Sequence, residues 1–159
     1  MLEKTLVILK PDAVARRLAG RILARFEDKG LRLSAMRMET ISMATAEKHY
    51  AEHKEKKFFP LLTSFITSGP VVLLALEGKD AVAVVRKMVG ATLGRAAEPG
   101  SIRGDFGMSQ SFNLIHASDS PESAARELAL FFAPADHMPE PKQEELRWNY
   151  EFAEGGGPN

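Results

Sequence analysis

Apolar residues recur along the chain with two different periods, which predicts an alternation of strands and helices. Residues 4–9 form an apolar run typical of a strand, and Pro11 ends it because the residue before a proline favours extended backbone. The following segment, to about residue 28, has apolar residues at every fourth position and Gly30 after it, which predicts a helix with a glycine stop. Those apolar residues are Val14, Leu18, Ile22 and Phe26.

The middle of the chain continues the same alternation. Residues 31–38 alternate between apolar and polar, which predicts a strand with one buried face, and we expect it to pair with the first strand. The nearly continuous apolar run at 71–76 predicts a strand that is covered on both faces. Helix-forming composition predicts three further helices, at 44–54, 58–66 and 80–88.

The last third contains one long loop and one compact strand–turn–helix. Residues 90–110 hold five glycines and a proline, and a loop of this length in a compact domain is usually functional or mobile. The chain then predicts a short strand over 112–115 that ends on His116, followed by a helix from Pro121 to about residue 132 with Ser120 as its cap.

The element order predicts an α+β fold of the ferredoxin-like type. In this βαββαβ pattern, four strands form an antiparallel sheet with helices packed on one face, here with an extra helix pair and the long loop added. We expect one domain over residues 1–133. Residues 134–159 form a polar C-terminal segment that either belongs to the same domain or packs on a neighbouring subunit, and residues 154–159 should be disordered.

The amino-acid composition argues against several classes of function. The chain has 159 residues with 21 basic and 21 acidic side chains, so zero net charge argues against bulk binding of nucleic acid. It has no cysteine, which excludes disulfides, thiolate zinc sites and cysteine nucleophiles. We see no signal segment and no apolar run long enough to span a bilayer, so a cytoplasmic location is expected.

His116 is the strongest candidate for chemistry. Imidazole can act as a neutral nucleophile near neutral pH, and Glu127 lies in the second turn of the next predicted helix, where it could orient the ring. Ser118 could hydrogen-bond locally. The alternatives are a structural histidine at a strand end and a solvated helix glutamate, and the residues alone leave both open.

Basic residues in and around the long loop suggest what a nucleophilic histidine would act on. Lys10, Arg86, Arg95 and Arg103 could together neutralise a phosphoryl group in transfer, although surface solvation is the alternative for each. That alternative is weaker for Arg103 because it lies among glycines, and Asp105 beside it is expected to pair with an arginine or hold the loop.

Several familiar nucleotide and metal motifs are absent from the sequence. It contains neither a phosphate-binding P-loop nor a dinucleotide-binding glycine motif. His49 and His53 are four residues apart but lack the glutamate of a helical zinc motif, so a solvated or structural pair is the better interpretation.

Five blocks of sequence resemble the nucleoside diphosphate kinase family, in family order and spacing, over about residues 3–132. They are TLVILKPDAV, HYAEHKEKKFF, FITSGPVV, PGSIRGDF and NLIHASDS, and residues 147–151 match more weakly. The resemblance implies a ferredoxin-like fold and transfer of the γ-phosphate of a nucleoside triphosphate to a nucleoside diphosphate. The transfer would be ping-pong, through a phosphohistidine on Nδ1 of His116, and would maintain nucleoside triphosphate pools.

The resemblance also implies a role for each matching residue. Glu127 would orient the His116 ring with support from Ser118, while Lys10, Tyr50 and Arg103 would contact the transferring phosphoryl group. The nucleotide would be bound by Lys10, Phe58, Arg86, Thr92, Arg103 and Asn113, with Phe58 stacked on the base. Magnesium would bind through the nucleotide phosphates rather than to protein side chains, and the chain would form a homo-oligomer, a tetramer or a hexamer.

Two alternatives to the metabolic role differ in class. The protein could donate its phosphohistidine to other proteins, or it could be an RNA-binding module, because ferredoxin-like sheets also bind RNA; the second ranks low without the aromatic RNA-binding motif. The chain departs from the family where Leu93-Gly94 replaces Asn-Pro, where Ser111-Phe112 replaces Gly-Arg, and where Ala117 replaces glycine. Ala117 would be strained if that position required a positive φ.

Overall fold

The computed structural model describes residues 2–152, and the predicted disorder of residues 154–159 lies outside the described residues. The strands are β1 (Glu3–Leu9), β2 (Arg32–Glu39), β3 (Val71–Gly78) and β4 (Ile115–Ala117). The helices are α1 (Pro11–Ala15), α2 (Ala19–Asp28), α3 (Met43–His49), α4 (Phe59–Ile66), α5 (Ala81–Val89), α6 (Ile102–Phe106), α7 (Pro121–Phe131) and α8 (Gln143–Leu146). Short 3₁₀ turns lie at Ala51–His53, Gly94–Ala96 and Pro134–Asp136.

The four strands form one antiparallel sheet in the order β2-β3-β1-β4, which is the ferredoxin-like order. The expectation that the second strand pairs with the first is wrong, because β2 pairs with β3 and β1 lies between β3 and β4. The physical reason is burial: β1 and β3 carry the two continuous apolar runs, so they take the central positions, while the alternating β2 can lie at an edge.

Two hydrophobic cores lie on opposite faces of this sheet. Val7 and Leu9 of β1 pack in one core together with α2 and α5, the two helices of the βαββαβ pattern, which share one face as predicted. Leu6 and Ile8 point to the other core, where the added helices α3, α4 and α7 pack. This division explains why residues 6–9 of β1 and 71–76 of β3 are continuously apolar instead of alternating.

Four predicted boundaries differ from the structure. The helix predicted at 44–54 ends at His49, and a separate 3₁₀ turn follows at Ala51–His53. The helix predicted up to about residue 28 is broken into α1 and α2, because Arg17 adopts a φ of 57° and the Leu18 amide donates back to the Ala13 carbonyl. The predicted loop contains α6, whose cap Ser101 accepts from the Gly104 amide. The strand predicted to end on His116 runs over Ile115–Ala117, so His116 lies at its centre.

Residues beyond α7 fold back on the β2 edge of the same chain. The Met138 amide donates to the Ser34 carbonyl, Arg32 donates to the Pro139 carbonyl, and the Tyr150 hydroxyl accepts from the Lys79 amide. A β-bulge between Leu33 and Ala35 interrupts the regular register of β2 at Ser34. Within residues 2–152, no helix is long and apolar enough to cross a membrane.

Candidate active site

A histidine, a carboxylate and a serine meet where β4 runs beside β1. His116 pairs with Ile8 across the sheet, and its Nε2 forms a 3.0 Å hydrogen bond with Oε2 of Glu127 on α7. Ser118 donates to the same carboxylate oxygen at 2.6 Å. Ser120 accepts from the Ser123 amide as the predicted cap, so it fixes the start of the helix that carries Glu127.

Glu127 is held as a carboxylate although it is only 5% exposed. Burial by itself would raise its pKa, but the hydrogen bonds from His116 and Ser118 and the charge of His116 bring the pKa below its ordinary value. An ionised Glu127 accepts a hydrogen bond from the Nε2–H of the imidazole. The other ring nitrogen, Nδ1, then carries the free lone pair of the neutral ring.

Lys10 and Asn113 form a second polar group, at the end of β1. Lys10 is 7% exposed, and its Nζ donates to Oδ1 of Asn113 at 2.8 Å. The Asn113 amide in turn donates to the carbonyls of Thr92 and Gln110, so it links the lysine to the long loop. Burial, and then the charge of Arg103, lower the pKa of Lys10 to about 8. A nearby anion would favour its protonated form.

Arg103 is buried, and its guanidinium donates to backbone carbonyls. Nε donates to the Asn113 carbonyl at 3.0 Å and Nη1 to the Gly90 carbonyl at 3.3 Å, while Nη2 donates to the Ile115 carbonyl. Burial, and then the charge of Arg86, lower the pKa of Arg103 to about 10. Arg103 therefore ties the long loop to β4 and holds positive charge beside the lysine. Asp105 has the predicted structural role, since it pairs with Arg25 and accepts from the Gly100 amide.

Leu114, just before β4, has a backbone conformation that non-glycine residues rarely adopt. Its φ is 73°, and it is held there by a hydrogen bond from its amide to Oδ2 of Asp12 and by the Lys10 amide, which donates to its carbonyl. This turn sets the directions of Asn113 and His116 on either side of it. No feature of the sequence had marked Asp12 as part of the site. Ala117 is not among the described residues with positive φ, so the strain considered for it does not arise.

A row of aromatic rings leads away from His116 towards the surface. The His49 ring lies 4.6 Å from both His116 and Tyr50, Tyr50 lies 6.5 Å from His53, and His53 lies 5.7 Å from Phe58. Tyr50 is buried, and burial raises its pKa to about 12. Phe58 is 48% exposed, as a stacking platform for a base would be.

The remaining predicted residues lie around these groups. Arg86 is exposed, and its Nη1 lies 3.5 Å from the Ala117 carbonyl oxygen, next to His116. Thr92 is exposed and is tied to the site through its carbonyl. Arg95 is exposed, and its 3₁₀ turn packs against α6. Lys10, Arg86 and Arg103 form a basic set that suits phosphate oxygens, and these three cationic side chains are not themselves ligands for a divalent cation.

His49, which was expected to form a solvated or structural pair with His53, is not solvated and lies beside His116. The structure buries His49 against His116, and among residues 2–152 neither ring nitrogen has a hydrogen-bond partner. Burial, and then the charge of His116, lower its pKa to about 3, so it is neutral at physiological pH. Its position in an otherwise polar stretch gave no sign of burial, because that burial depends on packing against α7 and β4.

The family model and the relatives that match this chain carry the same family name. Residues 3–137 match the family model described as nucleoside diphosphate kinase. The chain is 54% identical over 136 residues to the nucleoside diphosphate kinase of Treponema pallidum (strain Nichols), covering 86% of this chain and 91% of that protein. It is 51% identical over 150 residues to the enzyme of the same name from Archaeoglobus fulgidus, covering 94% and 99%.

The fold is also similar to that of solved structures. A halophilic nucleoside diphosphate kinase from Halobacterium salinarum, solved in complex with CDP, superposes with a TM-score of 0.91 at 44% identity, covering 95% of this chain and all of that one (100%). A family protein from Babesia bovis superposes with a TM-score of 0.88 at 44% identity, covering 93% and 99%.

Proposed function

Because this chain belongs to the nucleoside diphosphate kinase family, we propose that His116 is the residue that carries the phosphoryl group in its reaction. The enzyme transfers the γ-phosphate of a nucleoside triphosphate to a nucleoside diphosphate. The observation that carries the assignment is the 3.0 Å hydrogen bond from His116 Nε2 to Glu127 Oε2. It orients the ring and leaves Nδ1 as the nucleophile.

In the proposed first half-reaction, the Nδ1 lone pair attacks the γ-phosphorus. The bond to the bridging oxygen breaks, and the nucleoside diphosphate leaves with that oxygen. In the second, a β-phosphate oxygen of another nucleoside diphosphate attacks the phosphorus, and the P–N bond breaks. Glu127, held by Ser118, stabilises the positive charge that develops on the imidazole as Nδ1 bonds to phosphorus.

The basic residues would supply the charge stabilisation that phosphoryl transfer requires. Lys10 and Arg103 would contact the transferring group with Tyr50, while Arg86 and Thr92 would hold the inner phosphates. Lys10 supports this role, because a buried ammonium with a lowered pKa becomes fully protonated when a phosphate approaches it. Arg103 would also need to exchange one of its backbone carbonyl bonds for a phosphate oxygen.

Recognition of the nucleoside is proposed to be tolerant of the base. Phe58 is exposed at the end of the aromatic row and would stack on any base, since every base has a π-face. Lys10 and Asn113 would bind sugar hydroxyls. The family requires a divalent cation, and we propose that it is Mg²⁺, which would bridge the phosphates and neutralise their charge.

We also propose the domain bounds, the cellular location, the assembly and a side role. The kinase domain would span residues 1–133, with 134–159 as a C-terminal segment. The protein would be cytoplasmic, and it would assemble as a tetramer or hexamer. Donation of the phosphoryl group from His116 to other proteins remains an alternative side role, for which an acceptor side chain would have to reach a histidine that is only 22% exposed.

The test is formation and discharge of the phosphoenzyme. Wild-type protein and His116→Ala are incubated with ATP and magnesium and then analysed by intact mass before and after mild acid. We expect one acid-labile phosphate on the wild type, none on the variant, and full discharge by GDP. A phosphate that persists on the folded variant, or a wild-type phosphate that GDP cannot remove, would contradict the assignment of His116.

A further inference from the structure

His49 is a polar ring where an apolar ring would pack equally well. It is 5% exposed and forms edge-on contacts with Tyr50, His116 and Phe131 at 4.6, 4.6 and 5.5 Å between ring centroids. Neither of its nitrogens has a hydrogen-bond partner in the part of the chain that the structure describes. A buried polar group without a partner is destabilising, and phenylalanine would avoid this cost, so the two free nitrogens are available to bind a ligand.

The neighbours of His49 complete a set of metal-ligand atoms. One ligand-type atom from each of His49, His116 and Glu127 lies within 4.8 Å of the other two. Two imidazole nitrogens and one carboxylate oxygen are a donor set that Zn²⁺ prefers, with a water as the usual fourth ligand. Ser118 already donates to the Glu127 carboxylate, which is how a second residue commonly orients a metal ligand.

The space and charge beside these three residues suit a small cation. They line a polar cavity of about 80 Å³, whereas one water occupies about 30 Å³, so a metal ion and its water would fit. The other charged groups on this cavity are Glu52, Asp119 and Arg126, and Arg126 pairs with Glu52 at 3.0 Å. With Glu127 included, three acidic side chains face one basic side chain, which favours a cation over an anion.

We propose that His49, His116 and Glu127 form an inhibitory site for a transition-metal cation of the Zn²⁺ type, on the Nε2 side of the catalytic ring. The metal would replace the proton between His116 Nε2 and Glu127 Oε2 and release that proton to solvent. Ligand atoms of a tetrahedral zinc site lie about 3.3 Å apart. Nε2 of His116 and Oε2 of Glu127 are already 3.0 Å apart, so His49 would approach these two atoms by at most about 1.5 Å, which small side-chain rotations can supply.

This position determines the kind of inhibition. A metal on Nε2 withdraws electron density from the ring and takes the Glu127 carboxylate away from its orienting role, so Nδ1 becomes a poorer nucleophile. The nucleotide would bind on the opposite, Nδ1 side of the ring. Zinc should therefore lower kcat, and raising the nucleotide concentration should not relieve the inhibition. The proposal concerns the same histidine as the proposed function, but metal binding can be measured without any turnover.

The experiment measures Zn²⁺ binding to the metal-free protein by titration calorimetry, and Co²⁺ binding by the visible d–d absorption of a tetrahedral site. We expect one metal per chain, and a loss of affinity of more than about tenfold in His49→Phe, which keeps an aromatic ring in the same packing. His53→Ala is the matched control, because His53 lines the same cavity but is not one of the three proposed ligands, and its affinity should equal that of the wild type.

Two outcomes would overturn the proposal. The first is no binding at millimolar metal, and the second is binding that His49→Phe leaves unchanged. Circular dichroism and ADP binding establish that the variant is folded. If it does not fold, ¹⁵N NMR of the wild-type histidine rings decides: zinc should shift the His49 and His116 nitrogens, and shifts confined to His53 and His137 would reject the site. Failure here leaves the phosphoenzyme test unaffected.

Discussion

Lys10→Met should stabilise the fold at neutral pH while it impairs phosphoryl transfer. The ammonium of Lys10 is 7% exposed, and burial, followed by the charge of Arg103, lowers its pKa from 10.5 to about 8. A lowering of that size corresponds to about 3 kcal/mol of unfavourable free energy for the charged form in the folded state. Methionine has a similar shape without the charge, so the substitution removes this cost.

The gain is partly offset by one lost hydrogen bond. Nζ of Lys10 donates to Oδ1 of Asn113 at 2.8 Å, and leaving that buried oxygen without its donor costs about 1 to 2 kcal/mol. The net expectation at pH 7 is a variant that is more stable by about 1 to 2 kcal/mol, which for a chain of this size raises Tm by several degrees.

The pH dependence of stability distinguishes the removal of a buried charge from a simple improvement in packing. Since the folded pKa of Lys10 is below its unfolded value, the unfolded chain binds more protons between about pH 8 and 10.5, and the stability of the wild type rises with pH across that window. The variant lacks this rise. Its advantage should therefore shrink above pH 8 and reverse near pH 10.5, where the wild type is neutral and keeps its hydrogen bond to Asn113.

The assay is urea unfolding of both proteins at matched concentration from pH 7 to 10.5, with phosphoenzyme formation measured at pH 7. Matched concentration is needed because any assembly of subunits adds to apparent stability. A variant that is less stable than the wild type at pH 7, or a difference that does not change with pH, would refute the assignment of a buried, destabilising charge at Lys10.

Three further substitutions test the roles proposed for the site. Glu127→Gln should slow phosphoenzyme formation by about a hundredfold without weakening ADP binding, and an unchanged rate in stopped-flow assays would exclude an orienting role. Arg103→Ala should lower turnover more than nucleotide affinity. It should also lower Tm, because the buried backbone carbonyls that accept hydrogen bonds from Arg103 lose their donor. Turnover equal to that of the wild type would show that Arg103 does not stabilise the transition state. Phe58→Ala should raise KM for ATP and GTP alike by about five- to a hundredfold. Phe112→Ala is the control, because Phe112 is also exposed but packs on Phe65. A KM increase for only one of the two nucleotides would contradict base-tolerant stacking.

Local pattern predicted the elements of this fold better than it predicted their arrangement. The apolar runs of β1 and β3 and the Ser120 cap of α7 are readable because each depends on residues that are close in sequence. Strand pairing depends on contacts between distant segments. Coverage on both faces was inferred from the sequence only for residues 71–76. The apolar run of β1 was equally visible, and together the two runs would have indicated that these strands lie at the centre of the sheet.

The same distinction applies to the site. The sequence blocks pointed to His116, Glu127 and Lys10, whereas His49 and Asp12 were missed because their importance arises from packing and turn geometry. His49 is defined by the rings around it, and Asp12 by its hydrogen bond to Leu114, a residue 102 positions away with a φ of 73°. Neither the spacing of apolar residues nor a sequence motif indicates a positive φ at a leucine, since that conformation is imposed by the surrounding structure.

The most direct test of the account is to identify which nitrogen of His116 carries the phosphoryl group. Phosphoenzyme made with labelled ATP is hydrolysed in alkali, which preserves phosphohistidine, and the product is compared with Nδ1- and Nε2-phosphohistidine standards by chromatography and ³¹P NMR. Because Glu127 holds Nε2, we expect the Nδ1 isomer alone. Recovery of the Nε2 isomer would mean that Glu127 does not orient the ring in this way, and the proposed mechanism would be wrong.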